Sequence, residues 1–276
     1  MSGSKSRRFS ALLAASLLPA PAFAAPAPDA GAGYAQDPAT LAGQRRELRE
    51  VLGREARTWP SPVHDDGIQS LLLLDRVEWV HTGAGRMFYL EGQGWIGDDL
   101  NKLWVKGEGA HRRGRTEDAN FEAYYSRAVA PYWDAQLGLR HDFPADGGPA
   151  RNWLGIGVQG LAPYKFDTEV TFYVGPAGRT AARLRAEYDL YVTQRLVFWP
   201  ELELNAYGKD DPERGIGAGL ANSAATVRLR YEIRREFAPY LGVQWVRKYA
   251  GTADYARRAG ALVSDTQYLL GFRAWW

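Results

Sequence analysis

The chain has 276 residues, 46% hydrophobic and 24% charged, and its 34 Lys and Arg against 32 Asp and Glu leave a formal charge of +2, which excludes nucleic-acid binding driven by bulk charge. There is no Cys, so a disulfide framework and a thiolate metal site are both excluded. Mean hydropathy is −0.38 and no run approaches the roughly 18 apolar residues of a membrane-crossing helix, but a barrel strand, which shows lipid only its alternate residues, escapes that test.

The first element is an expected signal peptide over residues 1–24. Lys5, Arg7 and Arg8 form a basic start, Ala11 to Leu18 is a short apolar run, and Ala22-Phe23-Ala24 is a small-x-small cleavage pattern. Removing its three positive charges takes the formal charge from +2 to 2 − 3 = −1. Residues 25–68 read as a periplasmic leader. Ala25 to Gln36 is rich in Ala, Pro and Gly and is expected to be disordered. Leu41 to Arg57 carries Leu41, Leu48, Val51 and Leu52 among Arg and Glu, a weak helical pattern.

From about Gln69 the period becomes two and stays so to Trp276. Arg183, Arg185, Glu187 and Asp189 alternate with Leu184, Ala186, Tyr188 and Leu190; Thr226, Arg228, Arg230 and Glu232 alternate with Val227, Leu229, Tyr231 and Ile233. Successive strand side chains point to opposite faces, so each segment has one charged and one apolar face. This predicts an all-β fold over residues 69–276, a transmembrane antiparallel up-and-down β-barrel of twelve strands near 69–80, 86–96, 101–111, 119–129, 132–143, 152–161, 164–174, 179–191, 195–207, 223–233, 238–249 and 265–276. A soluble sandwich or lipocalin-like barrel would place the charged face outside. The strand number, the thick apolar face and the charge on nearly every opposite face oppose it. Trp 10 and Tyr 15 together exceed Phe 10, which suits a membrane–water interface.

The connections alternate in length. Pro131, Pro163, Thr193-Gln194 and Arg234 to Phe237 mark tight turns, whereas 143–151, 207–222 and 249–264 are long. With a periplasmic N-terminus and an even strand number, the tight turns fall on the periplasmic side and the long loops outside. Ala130-Pro131-Tyr132, Ala162-Pro163-Tyr164 and Ala238-Pro239-Tyr240 repeat at the start of upward strands. Pro200 is discordant inside the ninth strand and predicts a bulge or a later strand start. The chain ends Phe272-Arg273-Ala274-Trp275-Trp276, and a terminal aromatic after alternating apolar residues resembles the signal read by outer-membrane assembly machinery.

For chemistry, the presumed lumen holds charges of both signs, and ion pairs are the plainest use for them. Four histidines exist, His64, His81, His111 and His141; the last three lie near outward-facing strand ends, and Met87 is the one methionine left after processing. Imidazole and thioether suit soft and borderline metals, with Glu91 as a lumenal helper, although His141 has lipid-facing parity. No Gly-x-Ser-x-Gly or phosphate loop occurs, and Ser126 and Ser223 have no evident His partner, so no catalytic residue is expected.

The stretch Tyr207-Gly208-Lys209-Asp210-Asp211-Pro212-Glu213-Arg214-Gly215-Ile216-Gly217 resembles the copper-resistance protein B family of outer-membrane barrels. Leu72-Leu73-Leu74-Asp75-Arg76-Val77-Glu78-Trp79, Gly138 to Phe143, Gly157 to Tyr164, Arg230 to Tyr240 and Thr252 to Arg257 extend the likeness over roughly 70–276. The resemblance implies a monomer in outer-membrane lipid that is not an enzyme. It would bind copper ions, aid copper resistance by export or exclusion, and work beside periplasmic copper-handling proteins. His81, Met87, His111, His141 and Glu91 are then the candidate copper ligands. The departure is the leader: Ala25 to Asp66 has no Met and only His64, so a Met- and His-rich sequestering segment is missing. The rival readings are a general small-solute porin and an outer-membrane hydrolase.

Overall fold

The computed structural model describes residues 67–144 and 148–276, together with Arg46, Glu47 and Glu50, which are helical. The expected signal peptide and the rest of the leader lie outside the described residues. Twelve long strands form the sheet: β1 (Gln69–Thr82), β2 (Gly85–Gly97), β3 (Asn101–Arg112), β4 (Arg115–Ala130), β5 (Trp133–Asp142), β6 (Arg151–Ala162), β7 (Phe166–Gly175), β8 (Arg179–Glu187), β9 (Leu196–Tyr207), β10 (Gly219–Tyr231), β11 (Phe237–Lys248) and β12 (Ser264–Trp275). Each pairs antiparallel with its sequence neighbours. Pairing of β1 with β12, Leu73 opposite Trp275 and Trp79 opposite Leu270, closes the sheet and leaves no edge.

The twelve expected strands are all present, and their connections sort by end. Gly83-Ala84, Arg113-Gly114, 143–150, 176–178, 208–218 and 249–263 lie at one end, which carries the two longest connections, 208–218 and 249–263. The other end holds 98–100, 131–132, 163–165, 188–195 and 232–236, the approach to β1 and the C-terminal Trp276. At two of these turns a proline starts the reversal and the next residue goes left-handed, Tyr132 at φ 68° and Tyr164 at φ 67°. The third Ala-Pro-Tyr repeat differs: Pro239 and Tyr240 lie inside β11, and Tyr240 is buried in the lumen.

The outer face is a continuous apolar belt. Leu139, Ile156, Phe172, Leu241 and Leu270 are each more than half exposed, an arrangement stable only against an apolar surround. Exposed Tyr132, Tyr164, Tyr191, Tyr231 and Trp276 ring the turn end, and Trp79, Trp245 and Tyr268 lie toward the loop end.

Three departures from strict alternation have physical causes. β1 carries a bulge at Asp75-Arg76, where its registers with both β2 and β12 shift, so two adjacent charged residues are both 3% exposed and inward. Pro200 causes neither a bulge nor a late start: β9 runs through it, with Pro200 opposite Val227 in unbroken register. Its carbonyl accepts from Tyr188 N–H at 3.1 Å, so its missing donor faces β8. That strand stops at Glu187 and resumes only as the two-residue strand Leu190–Tyr191. The neighbour, not the proline's own strand, absorbs the lost bond. Finally, the third long loop contains helix α1 (Ala250–Arg258), where the sequence reading expects a loop.

Candidate functional site in the barrel lumen

The inward residues of the strands form a nearly continuous set of ion pairs across the lumen. Arg228, 1% exposed, donates to Glu78 at 2.9 Å and Glu201 at 2.5 Å. Arg76 reaches Glu91 and Glu201 at 3.0 Å each. Arg185 reaches Glu91 at 2.6 Å and Glu203 at 3.2 Å. Beside them, Glu122 takes Arg183 at 2.9 Å and Arg140 at 3.2 Å, and Lys106 meets Glu169 at 2.8 Å. Asn120 donates to Glu108, which also accepts from Tyr89. Aromatic rings fill the gaps: Trp199, 1% exposed, has the guanidinium carbons of Arg228, Arg230, Arg273 and Arg76 at 4.8–5.6 Å from its centroid.

Each mouth opens on a wider space. At the turn end a cavity of about 520 Å³ is lined by Arg230, Arg273, Asp189, Glu232 and Trp275. At the loop end one of about 530 Å³ is lined by Arg112, Glu117, Lys248, Asp265 and residues of α1. Between them lies a pocket of about 40 Å³ among Asp75, Glu91, Asp167, Glu169, Glu187, Lys106 and Arg185, room for an ion or a few waters.

The loop mouth is covered by the stretch that carries the resemblance. Asp211 and Ile216 bond each other's backbones, and Gly215 takes φ 66°. Arg151 grips Asp211 through Nε and Nη2 at 2.9 and 3.0 Å and reaches Glu213 at 2.8 Å. Arg214 turns into the mouth toward Asp142 and Asp118 at 3.5 and 3.6 Å. Gly217 N–H donates to Thr252 Oγ1 at 2.9 Å, and a Cβ there would lie 2.5 Å from the Gly251-Thr252 backbone, so this close seat on α1 requires glycine. Burial pushes the Asp211 carboxyl up, but the bonds from Arg151 and the charges of Arg151, Arg179 and Arg214 outweigh it and hold the pKa below the ordinary aspartate value.

The five expected metal ligands are not brought together. Met87 and Glu91 share the lumenal face of β2. Met87 Sδ lies 3.7 Å from Arg112 Nη2; Glu91 is already engaged by Arg76, Arg185 and the Tyr89 hydroxyl. His81 and His111 are exposed at the loop end, on strands separated by β2, with His81 opposite Arg86 and Phe88 opposite His111. His141 bonds Asn152 at 2.6 Å and packs on Phe143. Among the described residues no three His, Asp or Glu side chains converge to hold a metal ion. The serines are engaged elsewhere: Ser126 donates to Asp134, and Ser223 bonds the Tyr249 hydroxyl.

The sequence reading missed the centre of this network. It lists Arg183, Arg185, Arg228 and their acidic neighbours as lumenal but not Arg76, because period two sends one of two adjacent residues outward and the bulge sends both inward.

A family model described as Copper resistance protein B precursor (CopB) matches residues 68–276, the whole barrel. The Copper resistance protein B of Escherichia coli is 44% identical over 214 residues, 77% of this chain and 71% of that protein. The Copper resistance protein B homolog of Pseudomonas syringae pv. tomato is 44% identical over 213 residues, 77% of this chain and 72% of that protein. Among solved structures, the NanC porin aligns with a TM-score of 0.51 at 13% identity, covering 72% of this chain and 98% of the porin, a likeness of fold.

Proposed function

The chain belongs to the copper resistance protein B family, and from that premise we propose that it sits in the outer membrane, binds copper and contributes to copper resistance by exporting or excluding it. The observation that carries this reading is the family match over the entire closed barrel, lumen and loop cover included. The apolar belt, the aromatic rings and the start of β1 and the C-terminal Trp276 at the turn end support an orientation with the longest loops outside and the turn end periplasmic. A periplasmic copper-handling protein would then meet the turn end, and the barrel works as a monomer, since closure leaves no strand edge to pair.

Copper is the substrate. Met87 offers a soft thioether on the lumenal face near the loop mouth, and Glu91 offers an oxygen four residues further in. His81, His111 and His141 would act on the outer rim, separately. The test is copper titration of the refolded barrel. We expect few ions per chain, weaker binding in a Met87→Ala/Glu91→Gln variant, and a smaller loss in a His81→Ala/His111→Ala/His141→Ala variant. Unchanged stoichiometry and affinity in both would remove these ligands, and no binding by the wild type would sink the copper reading.

A further inference from the structure

Arg76, like Arg185, lies among four carboxylates, but it alone of the two is set there by a bulge. The bulge in β1 points it across the barrel, where its guanidinium sits among four carboxylates. Nη1 lies 3.0 Å from Glu91 Oε2, Nη2 3.0 Å from Glu201 Oε1 and 3.7 Å from Glu187 Oε2, and Nε 3.7 Å from Asp75 Oδ2. These acids come from β1, β2, β8 and β9, so one side chain ties two opposed walls of the lumen. It is 3% exposed, and it lies between two end cavities that share no lining residue.

The carboxylates beside it are unevenly paired. Among the described ion pairs Glu187 has Arg76 as its only cation. Directly opposite Glu187 on β7 is Asp167, a like-charge cross-strand pair that destabilises the sheet unless a cation lies near. Both line the pocket of about 40 Å³ with Asp75, Glu91 and Glu169, and of these five carboxylates Asp167 and Glu187 alone have fewer than two cations within ion-pair distance among the described residues. A guanidinium held by acids from four strands is where a passing cation would be bound if the side chain were gone.

We propose that Arg76 is the residue that sets passage through the lumen: a tethered cation that fills a cation position built by acids of four strands between the two mouths, so that a free cation crosses by displacing it. The proposal rests on the reading of the barrel as a copper passage, and it names the step at which copper would be selected over anions. Glu187 and Asp167 would take the first share of a displacing ion, because each has the fewest cationic partners.

The experiment is single-channel recording of the full chain in planar lipid bilayers under a KCl gradient, with wild type, Arg76→Gln and Arg76→Lys, each first shown to be folded by its heat-modifiable gel band. Arg76→Gln should raise conductance several-fold and move the reversal potential toward cation preference. Arg76→Lys keeps the charge but cannot span Glu91 and Glu201 together, and should give a smaller rise in conductance. Adding Glu187→Gln to Arg76→Gln should keep the conductance and lose much of the cation preference. Wild-type conductance in whichever Arg76 variant folds, or an anion-preferring Arg76→Gln, would overturn the proposal. Copper entry into copper-free vesicles is read separately. A potassium path opened by Arg76→Gln with no copper carried by any form leaves the role of Arg76 standing and removes the copper-passage reading.

Discussion

Arg228 sits with its guanidinium between Glu78 and Glu201 and over the face of Trp199. Burying such a group gains little over an apolar core, but removing one partner leaves carboxylates desolvated and alone. Arg228→Ala is therefore predicted to cost about 3–5 kcal/mol of folding stability, read as the shift in urea midpoint of the barrel in detergent or lipid. Arg228→Lys should recover only part, because an ammonium cannot hold both acids in a planar fork; full recovery would show that charge alone matters here. At the loop mouth Asp211 behaves as a switch of known sign. Its folded pKa is lowered, so its contribution is present above the unfolded aspartate value, about 3.9, and is lost as pH falls from there through the folded value. The 208–218 loop is predicted to detach in acid, seen as faster cleavage of that loop by an acid-active protease. Asp211→Asn should release it already at neutral pH, and equal cleavage of both proteins at pH 7 would contradict this. Of these residues, the charge of Arg228 and its face are readable from alternation; its partners are not, since they come from strands distant in sequence.

At the scale of the strand, β8 offers the cleanest test of register. Leu184 lies opposite Leu204 on β9 and Val170 on β7, all on the outer face, whereas Arg185 lies opposite Glu203 and Glu169 inside. Leu184→Arg is predicted to cost roughly 2–4 kcal/mol near the midplane. Arg185→Leu should act differently, by freeing Glu91 from its 2.6 Å contact. Refolding titrations that give equal, small losses for both would show the register to be misplaced by one residue. The strands were legible because each repeats one two-residue rule over about ten positions. What was not legible depends on neighbours. The bulge at Asp75-Arg76 answers to two flanking registers at once, and Pro200 is tolerated because β8 breaks opposite it. Helix α1 was missed because nine residues with small buried side chains, Thr252, Ala253 and Ala256, give no apolar stripe. They are held by the seat on Gly217, a contact no local pattern encodes.

At the scale of the whole molecule, the closed lumen and the closed sheet are separate achievements with separate failures. The ion-pair layer predicts a wild-type conductance far below that of an open general porin, and a large, unselective current would favour the rival porin reading. Of the candidate copper site, the sequence made legible the donor types but not their faces in space: Met87 and Glu91 inside, three histidines outside. Closure depends on the last two residues. Trp276 exchanges backbone hydrogen bonds with Leu72 at 2.9 and 3.0 Å, Trp275 pairs with Leu73, and its indole N–H donates to Arg235 O at 2.8 Å. Deleting both opens the seam at the start of β1 and leaves its backbone groups unpaired on the side facing β12. The truncated chain is predicted to lose the fast-migrating folded band on unheated gels, both in cells and on refolding into lipid. The two settings separate two causes. If the band is lost in cells but forms normally on refolding, the terminal aromatics serve recognition by the assembly machinery and not the closure of the barrel. If it is lost in both, the two hydrogen bonds and the Trp275 anchor are what hold β12 against β1.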